Sequence, residues 1–234
     1  MKCINCGFEH GDKFCPNCGE RSELRKITFN SVFCESFSTL TNMDRGFLFN
    51  VKNLFLNPSG TVHDYINGKR KNIFNPLSFL IIAISIYLLI DSLFVTESVS
   101  DGDDSKFYSI GYEAGRFIAL YYKYFWISSI LWLSISTRLL FRKYNFAEHL
   151  AINSFVVGQS TLVGIISFLI FRNELIFDPL VYISIFWITY EIFKERKRDS
   201  SAFVLVLISM FFFFVQMIIV ITLIGVIRSW EYIS

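Results

Sequence analysis

Apolar and polar positions divide this chain into two regimes. The first seventy residues mix short apolar runs with polar ones, and from Leu77 onward long apolar runs dominate. Residues 77–95, 117–141, 146–171, 175–193 and 203–227 each approach or exceed the ~20 residues that cross a hydrocarbon core of ~30 Å. The pattern therefore predicts five membrane helices. In the fourth, Asp178-Pro179 caps a helix start inside the range and leaves a short apolar run. Lys123 and Arg138 fall near the ends of the second span, where their heads can snorkel toward water.

Upstream, Phe29, Val32, Phe33, Phe37 and Leu40 recur at helical spacing, and so do Phe47, Leu48, Val51, Leu54 and Phe55. These predict two amphipathic helices broken at 42–45. Asp44 is placed to cap the second, and Asn57-Pro58-Ser59-Gly60 to end it. A further short helix is expected over 61–67. Aromatic faces beside a membrane suit the headgroup layer, and packing against one another and the bundle suits them equally. Cys34, near the first apolar face, reads as a small buried hydrophobe.

Between the regimes stands the stretch from Gly68 to Pro76, with Lys69, Arg70 and Lys71 in a row. Cations before a first span mark its cytoplasmic flank and can contact anionic lipid. Asn75 is biased out of helix by the proline that follows, and Pro76 fits a first helical turn, so the first span is expected to start there. Composition agrees: 53% of residues are hydrophobic and mean hydropathy is +0.46, well above a soluble domain of 234 residues. The net charge of +2 carries little by itself, but its distribution does. Residues 1–76, 138–143 and 194–198 hold seventeen of the 22 Lys and Arg, and the alternate flanks hold five. The bias predicts a multi-pass protein of the inner (plasma) membrane, N-terminus cytoplasmic and C-terminus outside. No apolar signal-peptide core lies at the N-terminus.

The head holds the strongest motif. Cys3, Cys6, Cys15 and Cys18 form two C-x-x-C-G knuckles eight residues apart, a spacing suited to one tetrahedral Zn²⁺ with a structural role. Glycine after each pair permits the positive φ of a knuckle turn, and Pro16 pre-sets the second. Two disulfides are the alternative, and a reducing cytoplasm disfavours them. His10 reads as a loop residue outside a complete ligand shell. Residues 1–76 carry ten cations against seven acids, without a basic patch interleaved with aromatics, so nucleic acid is a poor candidate partner.

Inside the spans, His149, Asn153, Ser160, Gly164 and Ser167 fall within a helical arc of roughly 60°, with Glu148 at its mouth. Glu148, His149 and Asn153 are the candidates for an intramembrane polar site, a relay or headgroup pocket. A close helix contact through small residues is the plainer and favoured reading. Glu191 and Gln216 are isolated polar residues of the interior. Ser78, Ser85 and Ser92 recur every seven residues in the first span, so the first and third spans are expected to run parallel with these two small-polar faces together, His149 near Ser78.

The four cysteines, the run 54–58, Tyr65, Gly68, Lys69, Arg70 and Pro76 together resemble a bacterial family catalogued as domain of unknown function 3667. The resemblance covers about the first third of the chain, and the helices only in layout. It implies a membrane protein with a metal-binding head, and no catalytic residue. The sequence thus reads as an all-α polytopic membrane protein with about five spans: a zinc ribbon (1–20), an amphipathic juxtamembrane connector (21–76) and a membrane domain (77–234). Its expected partners are the bilayer and a cytoplasmic protein, and an oligomer is compatible with it. An adaptor, sensor or scaffold is the favoured function. A small transporter or channel subunit comes second, and a lipid-modifying enzyme third, since no nucleophile with a base, paired acidic motif or phosphate loop stands out.

Overall fold

The computed structural model describes residues 2–19, 28, 46–70, 73–94, 106–195 and 199–233, and for 106–120, 122–123 and 224–233 the backbone alone. The expected helix over 29–40 with Cys34, the Asp44 cap, Lys71 and the acidic stretch 96–105 lie outside these residues. Among the described residues the fold is helical: α1 (Gly46–Leu56), α2 (Pro58–Ile66), α3 (Pro76–Phe94), α4 (Lys106–Leu140), α5 (Phe146–Phe171), a 3-10 turn (Leu175–Phe177), α6 (Pro179–Phe193) and α7 (Ser200–Ile233). The head carries an antiparallel bridge between Lys2 and Glu9.

The Asn57-Pro58-Ser59-Gly60 segment ends α1 as expected and does more. It opens α2: the Asn57 side chain accepts the Gly60 N–H at 2.9 Å, and Pro58 fills the first helical position, where its missing donor is no loss. The two helices meet at Asn57, so the chain bends without a linker, and α2 begins three residues before the expected 61. Gly68, at φ +95°, carries the chain out of α2. As expected, Asn75 starts the first span, its Oδ1 accepting the N–H groups of Leu77 (3.0 Å) and Ser78 (3.3 Å).

α5 is the axis of the bundle. α3 lies along it in the same direction, with Phe79 against Phe155 (5.9 Å between ring centroids) and Tyr87 against Phe168 (6.0 Å). This confirms the expected pairing of the first and third spans and corrects the expected faces. Ser85 and Ser92 are exposed, each returning its hydroxyl to its own helix backbone, at Ile81 O and Leu89 O. The surfaces that meet carry large rings and Gly158, not two serine stripes. A Cβ on Gly158 would come within 2.8 Å of Phe79 Cδ1 and 3.2 Å of Leu80 Cα, so this glycine sets how closely the helices approach.

The register places Pro76 level with residues 152–157 of α5. At ~1.5 Å per residue, α5 therefore begins roughly 9–16 Å before α3 does. Around this projection α1 and α2 form a collar: Tyr65 meets Phe155 edge-on at 5.5 Å, Phe47 packs on Phe79 at 5.2 Å, and the Gln159 amide donates to Val51 O at 3.2 Å. Leu54, Val62, Tyr65 and Phe74 thereby join the same hydrophobic core as the long helices. The amphipathic segment is built into the bundle.

The fourth predicted span is interrupted. Arg172, at φ 60°, closes α5 in the left-handed conformation, and the chain folds back so that Leu175 reaches Gly164. Leu175 N–H donates to Tyr87 Oη (3.2 Å) and Tyr182 Oη donates to Ile176 O (2.6 Å), which satisfies backbone that the break would otherwise strand. Asp178, fully buried, then caps α6 through the Leu180 N–H at 2.9 Å. With 15 residues, α6 is ~22 Å long, short of a full crossing. The break at Asp178-Pro179 was legible; its burial was not.

α6 returns antiparallel to α5, and α7 antiparallel to α6, with Phe203 near Phe186 (5.2 Å) and Tyr190 (5.9 Å). α7 also lies on α4, where Ser136 donates to Gln216 Oε1 at 3.3 Å. Direction thus alternates from α3 to α7. Large apolar side chains such as Leu89, Leu93, Phe211, Ile218 and Leu223 face outward, as a lipid-facing surface does and a water-facing one rarely does. Among the described residues α3, α5 and residues 200–223 of α7 are long and apolar enough to cross a membrane, and α6 is a shorter apolar helix.

Candidate functional site

The head is organised by backbone turns around sulfur. Gly7 N–H donates to Cys3 O at 2.9 Å and Gly19 N–H to Cys15 O at 2.6 Å, closing the two knuckles. Gly7 (φ 76°) and Gly19 (φ 72°) take the left-handed conformation expected of them. The turns aim N–H groups at the thiols. Those of Cys6 and Asn5 hold Cys3 below the ordinary thiol range, and that of Phe8 brings Cys6 down to about 6. Burial acts oppositely on Cys15 and pushes its thiol up to about 11, so charge at that position calls for a cation beside it.

The four sulfurs lie within 4.8 Å of one another, Cys3 to Cys18 at 3.5 Å and Cys6 to Cys15 at 3.6 Å, and all four cysteines are free thiols. A tetrahedral thiolate site with metal–sulfur bonds of ~2.3 Å requires sulfurs ~3.8 Å apart. The set therefore fits a metal ion, and disulfide sulfurs at ~2.05 Å do not describe it. His10 is not part of the cluster.

The second group joins residues from two helices. His149 and Asn153 are fully buried and bond to α4. Nε2 of His149 donates to Phe141 O at 2.8 Å and Nδ1 meets Thr137 Oγ1 at 3.0 Å, which fixes the ring. Asn153 Nδ2 donates to Ser134 Oγ (3.1 Å) and Thr137 Oγ1 (3.0 Å), and Trp126 Nε1 donates to Thr161 Oγ1 at 2.8 Å. The polar stripe of α5 thus mates with Ser134 and Thr137 of α4. Those α4 residues were not singled out in the sequence, although Ser129, Ser134, Ser136 and Thr137 are an evident small-polar cluster. Glu148 stands apart in a capping box: it accepts the Asn145 N–H at 2.7 Å while Asn145 accepts its own at 2.9 Å.

The basic hinge is tied to α2. Lys69 pairs with Asp64 at 2.9 Å, and the Arg70 guanidinium lies over the Tyr65 ring at 5.2 Å. Both remain near the start of α3.

The fold and the cysteine cluster define a helical membrane protein with a metal-binding head. Residues 44–88 match the model of a family described as "Protein of unknown function (DUF3667)". That segment comprises α1, α2, the hinge and the first turns of α3, the collar and its anchor on α5. The cysteines precede it. No curated protein and no solved structure matches the chain.

Proposed function

We propose that this chain is a membrane-embedded scaffold whose head, folded on one structural Zn²⁺, engages a cytoplasmic protein. The observation that supports this best is the cluster of four cysteines, a full tetrahedral set of thiol ligands that would leave no open position for chemistry at a metal. A head of about twenty residues builds too little core to fold alone, so metal supplies most of its folding free energy. Phe8 and Phe14 are 47% and 57% exposed beside the knuckles, and exposed rings on a rigid turn are frequent anchors in protein contacts. The proposed location is the inner (plasma) membrane with the head in the cytoplasm, and Lys69, Arg70 and Lys71 against anionic headgroups.

Metal analysis of the full chain purified in mild detergent is expected to give one zinc per chain, lost in Cys15→Ser. Phe8→Ala with Phe14→Ala should keep the zinc and lose the co-purifying protein. Zinc-free wild type, or unchanged recovery of partners by the double variant, would sink this reading.

A small transporter is the second reading, and Asn153 favours it. Its Oδ1 is buried without a hydrogen-bond partner among the described residues, an acceptor that a water or proton path would use. Flux into vesicles abolished by Asn153→Leu but retained without the head would support it over the scaffold.

A further inference from the structure

Where the 141–145 turn, the end of α6 and α2 meet, the bundle holds a cavity of about 460 Å³ lined by residues 140–144 and 192–195 together with His63. This is within the size range of small-molecule sites. Its floor is apolar and aromatic, with Phe141 stacked on Phe193 at 4.3 Å between centroids. Around it stand Arg142, Lys143 and Lys194, with Glu195 as the carboxylate of the lining.

The cations are not equivalent. Lys194 is engaged by Glu191. Arg142 and Lys143 have no carboxylate partner among the described residues, although Glu148 and Glu195 are close in sequence or space. Lys143 lies over the Tyr144 ring at 5.6 Å, and Tyr144 stands 6.2 Å from His63, whose Nδ1 meets Ser59 Oγ at 3.1 Å. Burial and the nearby Lys143 charge keep His63 below its ordinary range, and burial together with Glu148 and Glu195 raises Tyr144, so both are neutral donors at pH 7.

We infer that this cavity binds a phosphate ester, with the phosphate between Arg142 and Lys143 and its apolar or planar remainder on the Phe141–Phe193 floor. Arginine's planar fork with a neighbouring lysine suits a phosphate, which presents more charge and more acceptor oxygens than a carboxylate. Two sources carry that group to this end of the bundle: a phospholipid headgroup and a soluble phosphate ester. The site is separate from the cysteine head and does not depend on the scaffold reading.

The full chain, reconstituted in phosphatidylcholine nanodiscs, provides the test in two arms. One measures retention of added phosphatidic acid by native mass spectrometry, the other binding of adenosine monophosphate by calorimetry. At least one probe should bind, and Arg142→Gln with Lys143→Gln should weaken it about tenfold or more, as loss of two charges beside an anion requires. The charge-preserving pair Arg142→Lys with Lys143→Arg should retain most of the binding, which separates charge from folding. Lys69→Gln with Arg70→Gln should leave it unchanged. Phosphatidic acid alone would identify a headgroup site, and adenosine monophosphate alone a soluble ester. Binding of neither probe, equal binding by the Gln pair, or loss only in the hinge variant would overturn the proposal.

Discussion

At Gly158 the absence of a side chain is a packing contribution. Its hydrogen faces Phe79 and the Leu80 backbone, and a methyl there must displace a helix, because Leu80 Cα cannot rotate away. Overpacking of this kind costs ~1–3 kcal/mol, against ~1 kcal/mol of helix propensity gained on leaving glycine. Gly158→Ala is therefore expected to lower the unfolding midpoint in detergent, while Ser85→Ala, on the exposed face of α3, should leave it unchanged. A midpoint raised by Gly158→Ala would show that the α3–α5 contact yields. At the same scale, the knuckle glycines and the Asn75-Pro76 start were legible in advance, because conformational limits on glycine, proline and their neighbours act locally. The Asn57-Pro58-Ser59-Gly60 stretch ends α1 as expected, but its second role as the start of α2 went unread for a related reason. Asn-Pro-Ser-Gly is the chemistry of a turn and also of a helix start, and only the distance to the next apolar face decides between them.

At the scale of elements, the sequence located the helices of the bundle, of which three are long and apolar enough to cross a membrane among the described residues and a fourth is shorter, but could not pair their faces. A small-polar stripe says that backbones come close and does not say whose. The α5 stripe found Ser134 and Thr137 on its hairpin neighbour, whose 141–145 turn already holds the two helices side by side, and Ser85 and Ser92 of α3 remained outside. Cysteine pairs test this. Ser134→Cys with Asn153→Cys, whose polar atoms are 3.1 Å apart, should form an intramolecular bridge on mild oxidation, and Ser85→Cys with Ser160→Cys should not. The reverse result would return the serine faces to each other. The collar was half-legible: the aromatic faces of α1 were visible, but nothing local could tell a headgroup surface from the flank of α5, because both reward the same pattern.

For the whole molecule, the alternating helix directions separate two ends, and the charge count predicts which of them is cytoplasmic. The 141–145 turn, the end of α6 and α2 gather at one end, and Arg172, over the Phe94 ring at 4.1 Å, belongs to the other. Reporter fusions after Lys143 and after Arg198 are expected to read as cytoplasmic and one at Ser234 as external. A cytoplasmic reading at Ser234 would refute five crossings, and the short α6 is the place where the count would fail.

The start of α6 below the level at which α5 ends has a mechanical consequence for the bilayer. Gly164, which meets Leu175 and Val181, stands seven residues before Phe171, or ~10 Å along the axis. Over that distance one helix fewer fills the membrane, while at the opposite end the collar adds two. The inclusion is therefore tapered, displacing more area from one monolayer than from the other. Lipids beside α6 must tilt or thin to cover such a notch, a demand set by a single buried aspartate that starts α6 short of the surface.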